Sequence, residues 1–111
     1  MTRYYIHVTD LASAHGSDAQ FAWSGQSPQD LALALEQTLR EATFMQRWRD
    51  AQAEPEEVSA ATVDTDANAR VSIEDKAQRV EMVVTTHLPH RLLAQRLNLL
   101  IGPHWTLGDV K

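Results

Sequence analysis

Three short segments of the chain alternate between apolar and polar residues, and this alternation is the feature that most restricts its fold. Residues 3–9, 70–74 and 79–85 carry their large apolar side chains at every second position. This spacing is typical of β-strands with one buried face. The second and third segments are separated by a short connection at 75–77, which predicts a hairpin. A sheet with one apolar face needs helices to cover it.

The clearest helix signal begins at Ser27. The Ser27 side chain can accept hydrogen bonds from the free N–H groups of a first turn, Pro28 suits the first helical position, and Asp30 complements the helix dipole. A stripe of apolar residues follows at helical spacing, namely Leu31, Leu35, Leu39 and Ala42. The pattern therefore predicts a helix over 28–42 with this stripe in the core.

A second, shorter helix is expected directly after the first. The apolar stripe shifts by about half a turn beyond residue 42, which predicts a break near Thr43. The following segment, 44–52, places Phe44, Met45 and Trp48 on one side. We expect these three side chains to be buried.

The last third of the chain predicts a helix over 89–101 and a final strand over 104–110. Leucines surround much of this helix, so the sheet alone cannot cover them. Leu93 and Leu97 must therefore pack against the 44–52 helix or against a second chain, most simply in a two-fold dimer. The packing within one chain is favoured because the short helix carries large apolar groups.

A further alternating run, residues 19–24 with Phe21 and Trp23 on one face, predicts a strand paired with the first one. The whole pattern predicts a single α+β domain over 1–111. We expect a two-layer sandwich in which helices pack on one face of a mainly antiparallel sheet of about four to six strands.

Composition excludes several classes of protein. The chain has no cysteine, which removes disulfide frameworks, thiolate catalysis and cysteine-bound zinc. Fifteen acidic residues against ten basic ones give a formal charge of −5, which disfavours nucleic-acid binding. The N-terminus lacks a secretory pattern and no long apolar run occurs, so we expect a cytoplasmic protein without a membrane partner. Frequent Ala, Leu, Arg and Gln indicate a bacterial source.

An acidic segment, residues 64–75, resembles the twelve-residue calcium loop of the EF-hand family. Its candidate oxygen ligands are Asp64, Asp66, Asn68 and Asp75. The resemblance implies a calcium site, since calcium takes six to eight oxygen ligands. Ala69 stands where the family has a turn glycine, and Asp75 stands where it has a longer glutamate. We therefore favour an acidic turn that leads into the hairpin, with no metal and no cofactor.

Motifs of nucleophilic, nucleotide-dependent or zinc catalysis do not occur in the sequence. The favoured function is that of a non-catalytic interaction module whose partner is another protein or a second copy. The candidate contact residues are Phe44, Arg47, Trp48, Arg49, Leu93 and Leu97. The alternatives are a ligand- or metal-binding domain that uses 64–75 or the outer face of the sheet, and then a small enzyme.

Overall fold

The computed structural model describes residues 1–25, 27–76 and 79–111, and within these residues it contains four strands and three α-helices. The strands are β1 (Thr2–Val8), β2 (Arg70–Lys76), β3 (Arg79–Thr86) and β4 (Trp105–Val110). The helices are α1 (Pro28–Arg40), α2 (Thr43–Asp50) and α3 (His90–Ile101). The chain is an α+β protein with a four-stranded antiparallel sheet.

The strands lie in the order β2-β3-β1-β4, and all neighbours are antiparallel. β3 and β4 therefore run parallel to each other with β1 between them, and α3 connects them. Apart from α2, which follows α1, this is the chain order of the ferredoxin-like, split β-α-β arrangement. The predicted hairpin of β2 and β3 is confirmed. The predicted connection between these two strands covers residues 75–77, of which Ala77 lies outside the described residues.

One face of the sheet, here called the inner face, contributes to the hydrophobic core. Three register pairs from the two central strands are buried on it: Tyr4 with Val84, Ile6 with Met82, and Val8 with Val80. The buried leucines of α1 and α3 belong to the same apolar cluster. The alternation read from the sequence is thus matched by alternating burial along β1 and β3.

The start of α1 follows the sequence prediction. The Ser27 side chain accepts a hydrogen bond from the Asp30 N–H at 3.2 Å, and Pro28 occupies the first helical position. Leu35 and Leu39 are fully buried, as expected. The helix ends at Arg40, two residues earlier than the pattern indicated.

The predicted break before α2 is confirmed, but the helix begins at Thr43 rather than after it. No side chain caps its first turn. Of the three residues expected to be buried, Met45 is fully buried, whereas Phe44 and Trp48 are half-exposed. The helix packs on α1 and on a 3-10 turn over Ala60–Val63, which leaves part of its apolar side uncovered.

The strand predicted over 19–24 is wrong. Phe21 and Trp23 are buried, but this segment forms turns and irregular chain rather than part of the sheet. The N–H groups of Gly16 and Trp23 both donate to the carbonyl of Leu100, at 3.1 and 2.8 Å. Carbonyls at a helix end lack partners within the helix. The segment therefore packs against the C-terminal end of α3, and its alternation reflects this packing.

The surface role considered for Leu93 and Leu97 is also wrong, because both side chains have no exposed area. They lie in the main core cluster together with the other buried residues of α3. α3 packs on α1, whereas the sequence had offered α2 as its neighbour. The leucine-rich helix is covered within one chain, and neither leucine is accessible to a partner.

Candidate binding face of the sheet

The sheet presents a second face, here called the outer face, whose side chains are exposed or half-exposed. Its members on the three strands β1, β2 and β3 include Arg3, Tyr5, His7, Arg70, Ser72, Glu74, Arg79, Glu81, Val83 and Thr85. The antiparallel register arranges these residues in rows that cross the strands. The rows differ in charge, so one part of the face is positively charged and another part is negatively charged.

The first row is cationic. Arg3 and Arg70 are both register partners of Thr85, one from each neighbouring strand. Their Cα atoms are therefore two strand spacings apart, about 10 Å. Both arginines line an open cleft of about 500 Å³ together with Thr85, Tyr5 and Ser72, and we call it the arginine cleft.

A third arginine at the rim of the arginine cleft is already engaged. The Nε atom of Arg40 donates to the carbonyl of Ala69 at 2.7 Å, and its Nη2 atom lies 2.8 Å from Glu36 Oε1. In the part of the chain that the structure describes, the side chains of Arg3 and Arg70 form no ion pair. The cleft therefore carries uncompensated positive charge.

A further row of the outer face is acidic, and Arg79 lies beyond it at the start of β3. Glu74 and Glu81 are direct register partners, and His7 is the partner of Glu81 on its other side. Glu81 Oε1 lies 3.2 Å from Arg79 Nη2 and 3.5 Å from His7 Nδ1. This row lines a depression of about 240 Å³. Four residues of strand separate it from the cationic row, which corresponds to about 13 Å.

The middle of the outer face is apolar. Tyr5 and Val83 are register partners and both are half-exposed. The ammonium group of Lys111 lies 5.4 Å from the centre of the Tyr5 ring, within the range of a cation–π contact. The face thus has an aromatic and aliphatic centre between a cationic row and an acidic row, and Arg79 lies beyond the acidic row.

Two of the predicted contact residues line a different groove. Phe44 and Arg47 border a groove of about 390 Å³ between α1, α2 and residues 20–24. The Phe21 ring packs edge-on against Phe44 at 5.6 Å, and the Arg47 guanidinium lies 5.6 Å from the centre of the same Phe21 ring. Part of the apolar surface of this groove is therefore covered by its own residues, while Phe44 stays half-exposed.

The remaining two α2 candidates are not part of that groove. Trp48 is half-buried, and the Nε atom of Arg49 donates to the carbonyl of Pro55 at 3.1 Å. The structure does not bring the six predicted contact residues together, because Leu93 and Leu97 are in the core.

The EF-hand-like segment has a structural role at Asp66. The Asp66 carboxylate is buried and accepts hydrogen bonds from the Thr86 hydroxyl at 2.8 Å and from the N–H groups of His87 and Asn68 at 3.1 and 3.0 Å. Burial by itself would raise the pKa of Asp66. The hydrogen bonds and the nearby His87 outweigh this effect and lower the pKa.

The second half of that segment is not a loop. Residues 70–76 form β2, so the chain moves steadily away from Asp64 and Asp66 instead of curling back. Among the described residues no group of three or more His, Asp or Glu side chains is arranged to hold a metal ion.

Comparison of the chain with protein-family models, with curated proteins and with solved structures finds no match in any of the three. Among the described residues no helix combines the length and apolar character needed to cross a membrane. The proposal for function therefore depends on the geometry of the outer face.

Sequence reasoning missed the arginine cleft. Alternation along β1 places Arg3 and Tyr5 on one face, and that signal is readable in the sequence. The position of Arg3 opposite Thr85 depends on the register between distant segments, which alternation does not determine.

Proposed function

We propose that this domain is a non-catalytic protein-interaction module whose partner lies on the outer face of the sheet. The observation that carries the proposal is the half-exposed pair Tyr5 and Val83 between rows of opposite charge. Protein interfaces commonly combine an apolar, aromatic centre with a polar rim. The opposite charges of the two neighbouring rows also favour one direction of the partner.

The shape of the outer face favours a polypeptide over a small molecule. Its depressions are open and are lined by side chains of neighbouring strands, so the sheet forms only their floor. Small-molecule sites usually enclose most of their ligand. An extended polypeptide segment fits a shallow surface that follows the strands. The proposal includes a cytoplasmic location in a bacterial cell, as the composition indicates.

Substitution of Val83 tests this proposal. Val83→Glu introduces charge at the centre of the outer face, while Leu33→Glu makes the same change on α1, where Leu33 is 66% exposed. Wild type and both variants are immobilised and incubated with the same bacterial lysate, and captured proteins are quantified by mass spectrometry. We expect a protein that is captured by wild type and Leu33→Glu and is lost with Val83→Glu.

Circular dichroism first establishes that both variants keep the wild-type fold and Tm. The proposal is overturned if the same proteins are captured by all three chains, because the outer face then contributes nothing. If the only captured species is a further copy of this chain, the partner is the domain itself.

A further inference from the structure

We propose that the arginine cleft is an oxyanion site, and that it holds an acidic side chain of an extended partner segment between Arg3 and Arg70. The inference rests on the proposed function, because the oxyanion belongs to the partner polypeptide. The inference specifies the chemical group that the partner presents, an oxyanion, and the place on the sheet that binds this group.

The chemistry of the cleft matches an oxyanion. Each guanidinium offers N–H groups in a planar fork that pairs with two oxygens of a carboxylate or phosphoryl group. The hydroxyl of Thr85 lies between the two arginines in the register and supplies a further donor. The Ser72 hydroxyl lines the same cleft. Donors from three strands thus surround one open volume.

The charge balance gives a second argument. Two guanidiniums that flank Thr85, with Cα atoms about 10 Å apart, repel each other, although solvent screens most of this repulsion, and a bound anion removes it. The chain has 15 acidic residues for 10 basic ones, so acids for internal compensation are plentiful. None of those in the described part of the chain pairs with Arg3 or Arg70. Both guanidiniums therefore keep N–H donors that an anion from outside the chain can bind.

The acidic row favours a polypeptide over a nucleic acid as the source of the oxyanion. A nucleic-acid strand carries phosphates along its whole length, so one bound at Arg3 and Arg70 would place others near Glu74 and Glu81. A polypeptide can place a basic side chain there instead. The separation of about 13 Å equals four residues of extended chain. A partner segment with an acidic residue and a basic residue four positions apart matches the charges of the two rows, in which Glu81 also contacts Arg79 and His7.

Amide chemical shifts of the full chain test the inference. The probes are a capped seven-residue peptide with Glu at its second and Lys at its sixth position, a peptide of the same composition with Glu and Lys adjacent, inorganic phosphate, and a single-stranded oligonucleotide. We expect saturable shifts at Arg3, Arg70 and Thr85 with the first peptide, and binding roughly tenfold weaker with the second. Phosphate should shift the same amides without affecting Glu74.

Arg3→Gln and Arg70→Gln should each weaken binding of the first peptide roughly tenfold or more. The matched control is Arg91→Gln, which removes an exposed arginine on α3 and should bind as wild type does. Because Arg3 and Arg70 are exposed and their side chains form no ion pair in the described part of the chain, the Tm of both variants should stay close to that of wild type. If Arg3→Gln and Arg70→Gln keep this Tm, their weaker binding does not result from unfolding.

The inference is overturned if the peptides and phosphate leave the cleft amides unshifted, or if Arg3→Gln and Arg70→Gln bind as wild type does. Preferential, saturable binding of the oligonucleotide also overturns it and assigns the cleft to nucleic acid. Loss of lysate capture in Val83→Glu is measured separately, so the oxyanion site and the interaction function can fail independently.

Discussion

At the scale of single residues, Asp66 connects parts of the chain that are distant in sequence. Its carboxylate accepts hydrogen bonds from Thr86 and His87, which join β3 to α3, while Asp66 itself precedes β2. The Thr86 hydroxyl in turn accepts a hydrogen bond from the Leu88 N–H at 3.1 Å. Charge-assisted hydrogen bonds of this kind are stronger than neutral ones. Asp66 therefore stabilises the position of α3 relative to the sheet.

Asp66 makes stability depend on pH in the acid range. Because the pKa of Asp66 is lower in the folded state than in the unfolded chain, its contribution is complete above the unfolded value, about 3.9. That contribution is lost as the pH falls from about 4 through the lowered pKa of the folded state. We expect the free energy of unfolding to fall more steeply below pH 4 in wild type than in Asp66→Asn, as measured by urea unfolding at successive pH values.

The matched control for this titration is Asp109→Asn, since the Asp109 side chain is largely exposed. Its acid profile should follow that of wild type. Equal slopes below pH 4 for wild type and Asp66→Asn would show that the buried carboxylate does not govern acid stability.

The environment of Arg96 in the structure differs from the one that the sequence pattern indicates. Periodicity places it in a polar gap on α3, yet it is fully buried. Its guanidinium donates to the carbonyls of Thr38 at 3.1 Å and Asp64 at 2.7 Å, which ties α3 to α1 and to the segment before β2. Burial lowers the pKa of Arg96 to about 10, and the charge of Asp64 opposes part of this shift, so the group stays charged at neutral pH.

At the scale of elements, the sequence predicts those helix ends and strand pairs that depend on residues close together in the chain. The cap at Ser27 and Pro28 depends on the residues of one helical turn, and α1 begins as predicted. The hairpin of β2 and β3 is equally local. Residues 19–24 alternate as a strand does, but their burial is imposed by the end of α3, about 80 residues away. Sequence pattern contains no information about such a distant neighbour.

Gly16 allows the segment before α1 to approach the end of α3. A Cβ atom at this position would overlap the Leu99 carbonyl oxygen, which is backbone and cannot move aside. Gly16→Ala should therefore lower the free energy of unfolding by about 1–3 kcal/mol, measured by urea unfolding. Ser17→Ala, at an exposed neighbouring position, should change it by less than about 0.5 kcal/mol. A neutral Gly16→Ala would mean that the segment does not pack closely on α3.

At the scale of the whole molecule, the candidate binding face is less predictable from sequence than the core. Apolar spacing placed Leu35 and Leu39 correctly, because burial of a helix stripe follows from its period. The rows of the outer face depend on the order and register of four strands, which join residues from both ends of the chain. The candidate contact residues were chosen for their chemistry along the chain, and the fold separates them.

Leu93 distinguishes internal packing from association of two chains. Since Leu93 has no exposed area, Leu93→Asp should unfold the chain and cost about 4 kcal/mol or more, as measured by circular dichroism with urea. The control is Leu33→Asp on the exposed side of α1, which should stay within about 0.5 kcal/mol of wild type. A folded Leu93→Asp variant that converts a dimer to a monomer in sedimentation would contradict the packing described above.

The central position of β1 has a consequence for biogenesis. Both strands that flank β1, namely β3 and β4, lie in the last third of the sequence, so they are synthesised long after β1. Until then Tyr4, Ile6 and Val8 have no sheet to join. Such non-local pairing gives a high contact order and slow folding. We therefore expect the apolar residues of β1 to stay exposed during synthesis, when a chaperone can bind them.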